Sequence, residues 1–133
     1  MIKSIYFMFF VSMFMLAMAG CKSQQKENFK NIDADEFERM IEDMDNVQCL
    51  DVRTAAEYND GHIFGSINID VKEDSFAERA EEVLDSDKKI AVYCRSGKRS
   101  RKAAAILTKK GYQVYNLDKG FLNWQELGKN IAR

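Results

Sequence analysis

The stretch KIAVYCRSGKRSRKAAAIL, Lys89 to Leu107, sets one thiol between an apolar run and five cations: Arg95, Lys98, Arg99, Arg101 and Lys102 all fall within eight residues of Cys94. Backbone amides that follow a strand and precede a helix are not yet committed to helical hydrogen bonds. The N–H groups of Arg95, Ser96, Gly97, Lys98 and Arg99 can therefore turn inward around the sulfur. Gly97 supplies the backbone freedom a tight loop needs, and the helix N-terminus adds partial positive charge that favours a thiolate. A reactive Cys94 is the expectation. A cysteine serving only as a small apolar filler would need neither the glycine nor the charges, and cations at a helix N-terminus oppose its dipole unless an anion binds there. Arg95, Lys98 and Arg99 belong to the loop and are expected to hold that anion. Arg101 and Lys102 lie inside the helix and are expected to face water.

The elements around this loop follow from periodicity. Asp33, with Glu36 three residues on, starts a helix whose apolar residues Phe37, Met40, Ile41 and Met44 recur at helical spacing. NVQCLDVR is apolar on both faces, which suits a central parallel strand, and it carries Asp51 and Arg53 at its C-terminal end. Thr54 and Glu57 form a capping box for TAAEYND, which Asp60 and Gly61 terminate. SINID is a brief second strand. A helix around Ser75 to Leu84 turns Phe76, Ala80, Val83 and Leu84 to one face. Lys89 to Tyr93 is the clearest strand and Ser100 to Lys110 the clearest helix, closed by Gly111. QVYNL and FLNWQEL complete the chain as a strand and a short helix. The alternation defines an α/β fold with a central, mainly parallel sheet, which gathers the Asp51 region and Cys94 along one edge.

At 133 residues the chain makes one domain. Residues 1–20 read as a secretory signal: Lys3 is followed by a nearly unbroken apolar run, Ile5 to Met18, and then by Ala19 and Gly20. That run is shorter than the ~20 residues that span a bilayer comfortably, although an uncleaved anchor is the alternative. LAMAGC resembles a bacterial lipobox, with Met18 standing where leucine is commoner, and Cys21 would then be the lipidated first residue after cleavage. The expectation is a lipoprotein of the cell envelope, anchored to a bacterial membrane and facing the periplasm or exterior. Residues 21–28 read as a lipidated polar tether and residues 29–133 as the folded domain. The chain has 20 Lys+Arg against 21 Asp+Glu, and loss of Lys3 would bring the net charge to −2, which argues against nucleic acid as a partner. Cys49 and Cys94 would be the remaining thiols, too few for a disulfide framework, and nothing in the sequence establishes a bridge between them.

CRSGKR, Cys94 to Arg99, resembles the active loop of the single-domain rhodaneses, the thiosulfate sulfurtransferase-like proteins: a cysteine, four residues, then often arginine or threonine. LDVRTAAEYNDGHIFGSINI, Leu50 to Ile69, is similar to that family's upstream signature, and VYNLDKGFLNW, Val114 to Trp124, to its C-terminal one. Lys119-Gly120 departs from a glycine pair common there, and GKNI from a usual Gly-Pro ending. The resemblance implies helices on both faces of the sheet and a double displacement. Cys94 thiolate takes the outer sulfur of an anionic donor such as thiosulfate, keeps it as a persulfide, and yields it to a thiol or cyanide-like acceptor. Arg95, Ser96, Gly97, Lys98 and Arg99 would bind the donor, with Asp51 and Arg53 as a supporting pair. No metal or organic cofactor is implied, and a protein sulfur acceptor is a further partner that fits.

Other assignments compete. Cysteine phosphatases and arsenate reductases of related fold use a loop with five intervening residues, a larger cradle than the four found here. A membrane-tethered persulfide carrier or binding module, without significant thiosulfate turnover, is the alternative function, and a chemically inert scaffold is disfavoured by the intact cysteine. His62, in the DGHIFGS turn, reads as structural more than as a base, because a thiol activated by amides needs none. Cys49 reads as packed within its strand, with a resolving-thiol role as the alternative. Trp124 and Phe121 read as core.

Overall fold

A computed structural model describes residues 28–133; the signal, lipobox and most of the tether expected above lie outside the described residues. The elements run β1 (Lys30–Ile32), α1 (Ala34–Ile41), β2 (Val47–Asp51), α2 (Ala55–Asp60), β3 (Ile67–Asn68), α3 (Phe76–Val83), β4 (Lys89–Tyr93), α4 (Lys98–Lys109), β5 (Val114–Leu117) and α5 (Gly120–Glu126). The five strands form one sheet in the order β1-β5-β4-β2-β3, and every pairing is parallel. No helix among the described residues is long and apolar enough to cross a membrane.

The central strands are apolar on both faces because both faces are covered. On one side α3 and α4 bring Phe76, Ala80, Ala103, Ala104 and Leu107 onto Leu50, Val52, Ile90, Val92 and Val114. On the other, α1 and α5 bring Ala34, Phe37, Phe121 and Trp124 onto Val47, Cys49, Ala91, Tyr93 and Leu117. Helices flank both faces, as the resemblance implies. Cys94 packs with the first cluster and Cys49 with the second, and both thiols are free.

Four local outcomes differ from the periodicity reading. α1 ends at Ile41, so Met44, expected on its apolar face, lies beyond the helix and is exposed. β1 is a strand where none was expected, held to β5 by backbone pairing with Ile32 as its one buried residue. α4 begins at Lys98, two residues earlier than expected, with Gly97 as its N-cap. In α3 the chain leaves the helix after Val83; Leu84 turns extended (ψ 143°) and takes the buried place, leaving Val83 half exposed.

Candidate active site

Cys94 stands directly after β4, at the sheet edge where the parallel strands end, and is almost wholly buried. The Gly97 N–H donates to its Sγ at 3.2 Å. Among the described residues the amides of Ser96, Lys98, Arg99 and Ser100 have no acceptor in the protein. They sit on the loop and on the first turn of the twelve-residue α4, where orphan N–H groups and the helix dipole favour negative charge.

The loop is held from behind by the start of α5. Phe121 N–H donates to the Cys94 carbonyl at 2.8 Å and Leu122 N–H to the Arg95 carbonyl at 3.1 Å. In a trans peptide the C=O and the following N–H point opposite ways, so this docking turns the Arg95 and Ser96 amides away from α5. Two glycines permit the approach. Gly97 (φ +99°) would place a Cβ 2.2 Å from the Asp118 carbonyl oxygen, and Gly120 (φ +66°) would place one 2.4 Å from the Arg95 carbonyl oxygen.

Asp51 and Arg53 brace the same region. Asp51 is fully buried and accepts from Arg53 N, Nε and Nη2 and from the Tyr93 hydroxyl at 2.7 Å. Arg53 Nη2 also donates to the Gly61 carbonyl at 2.7 Å, and its guanidinium lies 4.2 Å from the centre of the Phe121 ring. A buried ion pair is tolerable when its remaining lone pairs and protons are satisfied, and these largely are. Through Phe121 the pair presses on the turn of α5 that grips the loop. Tyr93 was not singled out by sequence reasoning. Its hydroxyl, besides donating to Asp51, accepts from Ile63 N and meets Ser66 Oγ at 3.1 Å, tying the residue before Cys94 to the loop beyond α2. Burial pushes the Tyr93 hydroxyl pKa well up, so it stays a donor.

The loop cations have different fates. Arg99, expected on the anion, has both terminal nitrogens on Glu57 at 2.7 and 2.9 Å. The hydrogen bond from Arg99 holds the Glu57 carboxyl down at about 2, against the opposing effect of burial and with help from Thr54. Glu57 was legible as half of the Thr54 capping box, which does form, but its partner 42 residues on was not. Arg95 and Lys98 are exposed and, among the described residues, have no ion-pair partner. Arg101, expected to be solvated, pairs with Asp118 at 2.8 Å on the surface; Lys102 is exposed.

His62 stacks on Tyr58 (3.7 Å between ring centres) and its Nδ1 lies 2.8 Å from the Tyr58 carbonyl. Cys49 is buried in β2, and burial pushes its thiol pKa far up. No cluster of three or more metal-ligating side chains occurs among the described residues.

These features define an α/β domain with a thiol cradled by amides at the carboxyl edge of a parallel sheet, a site suited to nucleophilic chemistry on a small anion. Residues 33–127 match the rhodanese-like domain, and the chain belongs to that family. It is 33% identical over 100 residues to the thiosulfate sulfurtransferase GlpE of Shewanella oneidensis, covering 74% of this chain and 95% of that one. It is 37% identical over 112 residues to the tRNA uridine(34) hydroxylase of Pelagibacter ubique, covering 84% of this chain but only 36% of that longer protein. Among solved structures, a rhodanese-related protein from Thermoplasma volcanium superposes with a TM-score of 0.65 at 30% identity, covering 78% of this chain and 98% of that one.

Proposed function

We propose that the protein is a rhodanese-type sulfurtransferase that moves sulfane sulfur from an anionic donor such as thiosulfate to a thiophilic acceptor through a persulfide on Cys94. The observation that carries this reading is the Gly97 N–H on Sγ together with neighbouring amides that have no acceptor of their own. The Cys94 thiolate attacks the outer sulfur of thiosulfate. A sulfur–sulfur bond forms as the donor's own sulfur–sulfur bond breaks, and sulfite leaves with the electron pair. The outer persulfide sulfur carries negative charge, which the free amides and the α4 dipole stabilise. An acceptor thiolate or cyanide then attacks that sulfur and returns Cys94 as thiolate. No external oxidant or reductant is consumed. Arg95 and Lys98, with no ion-pair partner among the described residues, attract the donor, while Arg99 acts through Glu57 to hold the loop's shape.

The same reading places the domain at the cell envelope, lipidated on Cys21 with residues 21–28 as its tether; the lipobox resemblance supports this. Mass spectrometry tests both parts. Thiosulfate should add one sulfur, about 32 Da, to Cys94, and Cys94→Ser should abolish the adduct and the turnover with cyanide. Protein isolated from its native membrane should carry lipid on Cys21. An unmodified Cys94 after thiosulfate exposure would sink the sulfurtransferase reading, and an unlipidated, uncleaved N-terminus the anchoring one. Loading without turnover would favour the carrier alternative.

A further inference from the structure

A cavity of about 640 Å³ opens on the α1 and α5 side of the sheet, and none of residues 94–99 lines it. Val47, Cys49, Ile63 and Trp124, all buried, give it an apolar lining. Two loops at its mouth each hold a large apolar side chain in water: Met44, between α1 and β2, is 65% exposed, and Phe64, between α2 and β3, is 75% exposed. These are the two most exposed large apolar residues among those described. Single exposed apolar side chains are ordinary on a protein surface, but two gathered at the mouth of an apolar recess mark a face that meets another protein. Cys49 does not make the recess a reactive site, because burial pushes its thiol pKa far up.

The same face carries a projecting ring and a recess that a ring would fill. Such a surface complements a copy of itself across a two-fold axis, where every contact is made twice. The charges at the mouth favour the same partner. Glu42 and Lys88 are opposite in sign and have no ion-pair partner among the described residues, while Glu38, the other charged group in the lining, is paired with Lys129. Lys88 Nζ donates to the Met44 carbonyl at 3.2 Å, which keeps that cation at the rim. A uniformly acidic or uniformly basic partner would set its own sign against one of the two, whereas a second copy brings both signs.

We infer that two copies of this chain associate through this face, Phe64 of each entering the cavity of the other beside Met44. The Met44 thioether suits that neighbour, since sulfur packs favourably against the edge of an aromatic ring. Cys94 packs on the opposite side of the sheet, with α3 and α4, so the association leaves both cysteine loops open. The inference goes beyond the sulfurtransferase reading and does not depend on it.

The test is sedimentation equilibrium of the full-length protein in density-matched detergent, which reads the protein mass alone. With rising concentration, up to about 100 μM, the mass should climb from one chain to two and stop there. Phe64→Asp removes the projecting ring and should weaken association about a hundredfold or more, because a two-fold interface carries the substitution twice. Ile41→Trp, a half-buried side chain in the lining, fills the recess instead and should weaken it as well. Val83→Asp is the control: Val83 is also half exposed, but it lies on α3 and outside this cavity, and its replacement should leave the dimer intact. Circular dichroism establishes that each variant is folded. A single chain at every concentration, growth past two chains, a dimer indifferent to Phe64→Asp, or equal loss in folded Val83→Asp would each overturn the inference. The sulfur adduct on Cys94 should form as fast in Phe64→Asp as in the wild type, so it reports on the sulfurtransferase reading separately.

Discussion

Replacing Gly97 by alanine tests how the loop is held. Two costs are expected. A side chain at φ +99° sits in the left-handed region, worth about 1–2 kcal/mol, partly offset by the smaller entropy of the unfolded alanine chain, about 0.4–1 kcal/mol. The second cost is steric: the new Cβ would lie 2.2 Å from the Asp118 carbonyl oxygen, a backbone atom. Forcing the two apart resembles overpacking, at about 1–3 kcal/mol. Gly111→Ala is the control, since Gly111 has nearly the same φ, +96°, and nothing within 4 Å of its Cβ position. The control should therefore lose about 1 kcal/mol and Gly97→Ala about 2–4 kcal/mol. For a domain of this size these losses correspond to roughly 5 °C and 10–20 °C in Tm, read by circular dichroism. Displacing Gly97 also removes the N–H that lies 3.2 Å from Sγ. Sulfur loading on Cys94 should then slow at least about tenfold in Gly97→Ala and stay unchanged in Gly111→Ala. Equal loss of stability in the two variants would refute the claim that loop and Asp118 are in enforced contact. Normal loading in a folded Gly97→Ala would refute the role of its amide.

Asp51→Asn leaves the Arg53 guanidinium buried without its counter-charge and should cost about 3 kcal/mol in urea unfolding, with a loss below about 1 kcal/mol refuting the brace. Glu57→Gln tests a pH window. Its folded carboxyl is held at about 2 against an ordinary 4.5, chiefly by Arg99, so the stabilisation is complete above the ordinary value and disappears as pH falls towards 2. With the side chain 30% exposed, screening reduces the effect to about 1–2 kcal/mol. The gap between wild type and Glu57→Gln at pH 7 should close on acidification; a gap constant with pH would refute the assignment.

The fold was legible where local signals are strong. The strand ending at Tyr93 and the Thr54 capping box stand where expected, and the helix after Asp33 starts at its expected cap, although it ends at Ile41, short of Met44. β1 was invisible because three residues with one buried side chain carry no rhythm; its strand character comes from backbone pairing to β5, which only the tertiary fold supplies. In the site, the loop could be read from a cysteine, a glycine and cations in one short run. Which cation stays free could not, because Arg99 is claimed by an acid on α2 that is distant in sequence. Tyr93 escaped notice for a related reason: a tyrosine at the end of an apolar strand reads as core, and its hydroxyl acquires meaning only from Asp51 on the neighbouring strand.

If the domain is anchored through residues 21–28 as proposed, the all-parallel sheet sets the side from which the tether would enter it. Lys30 is level with Tyr115, and Tyr115 with Ala91, three residues before Cys94. At about 3.3 Å per residue, the chain enters the outer strand about 10 Å below the sulfur and runs towards it. A leash attached upstream of Lys30 therefore meets the domain from the side of the sheet that faces away from the cysteine loop. Strand polarity, more than leash length, would turn the loop outward to the aqueous phase.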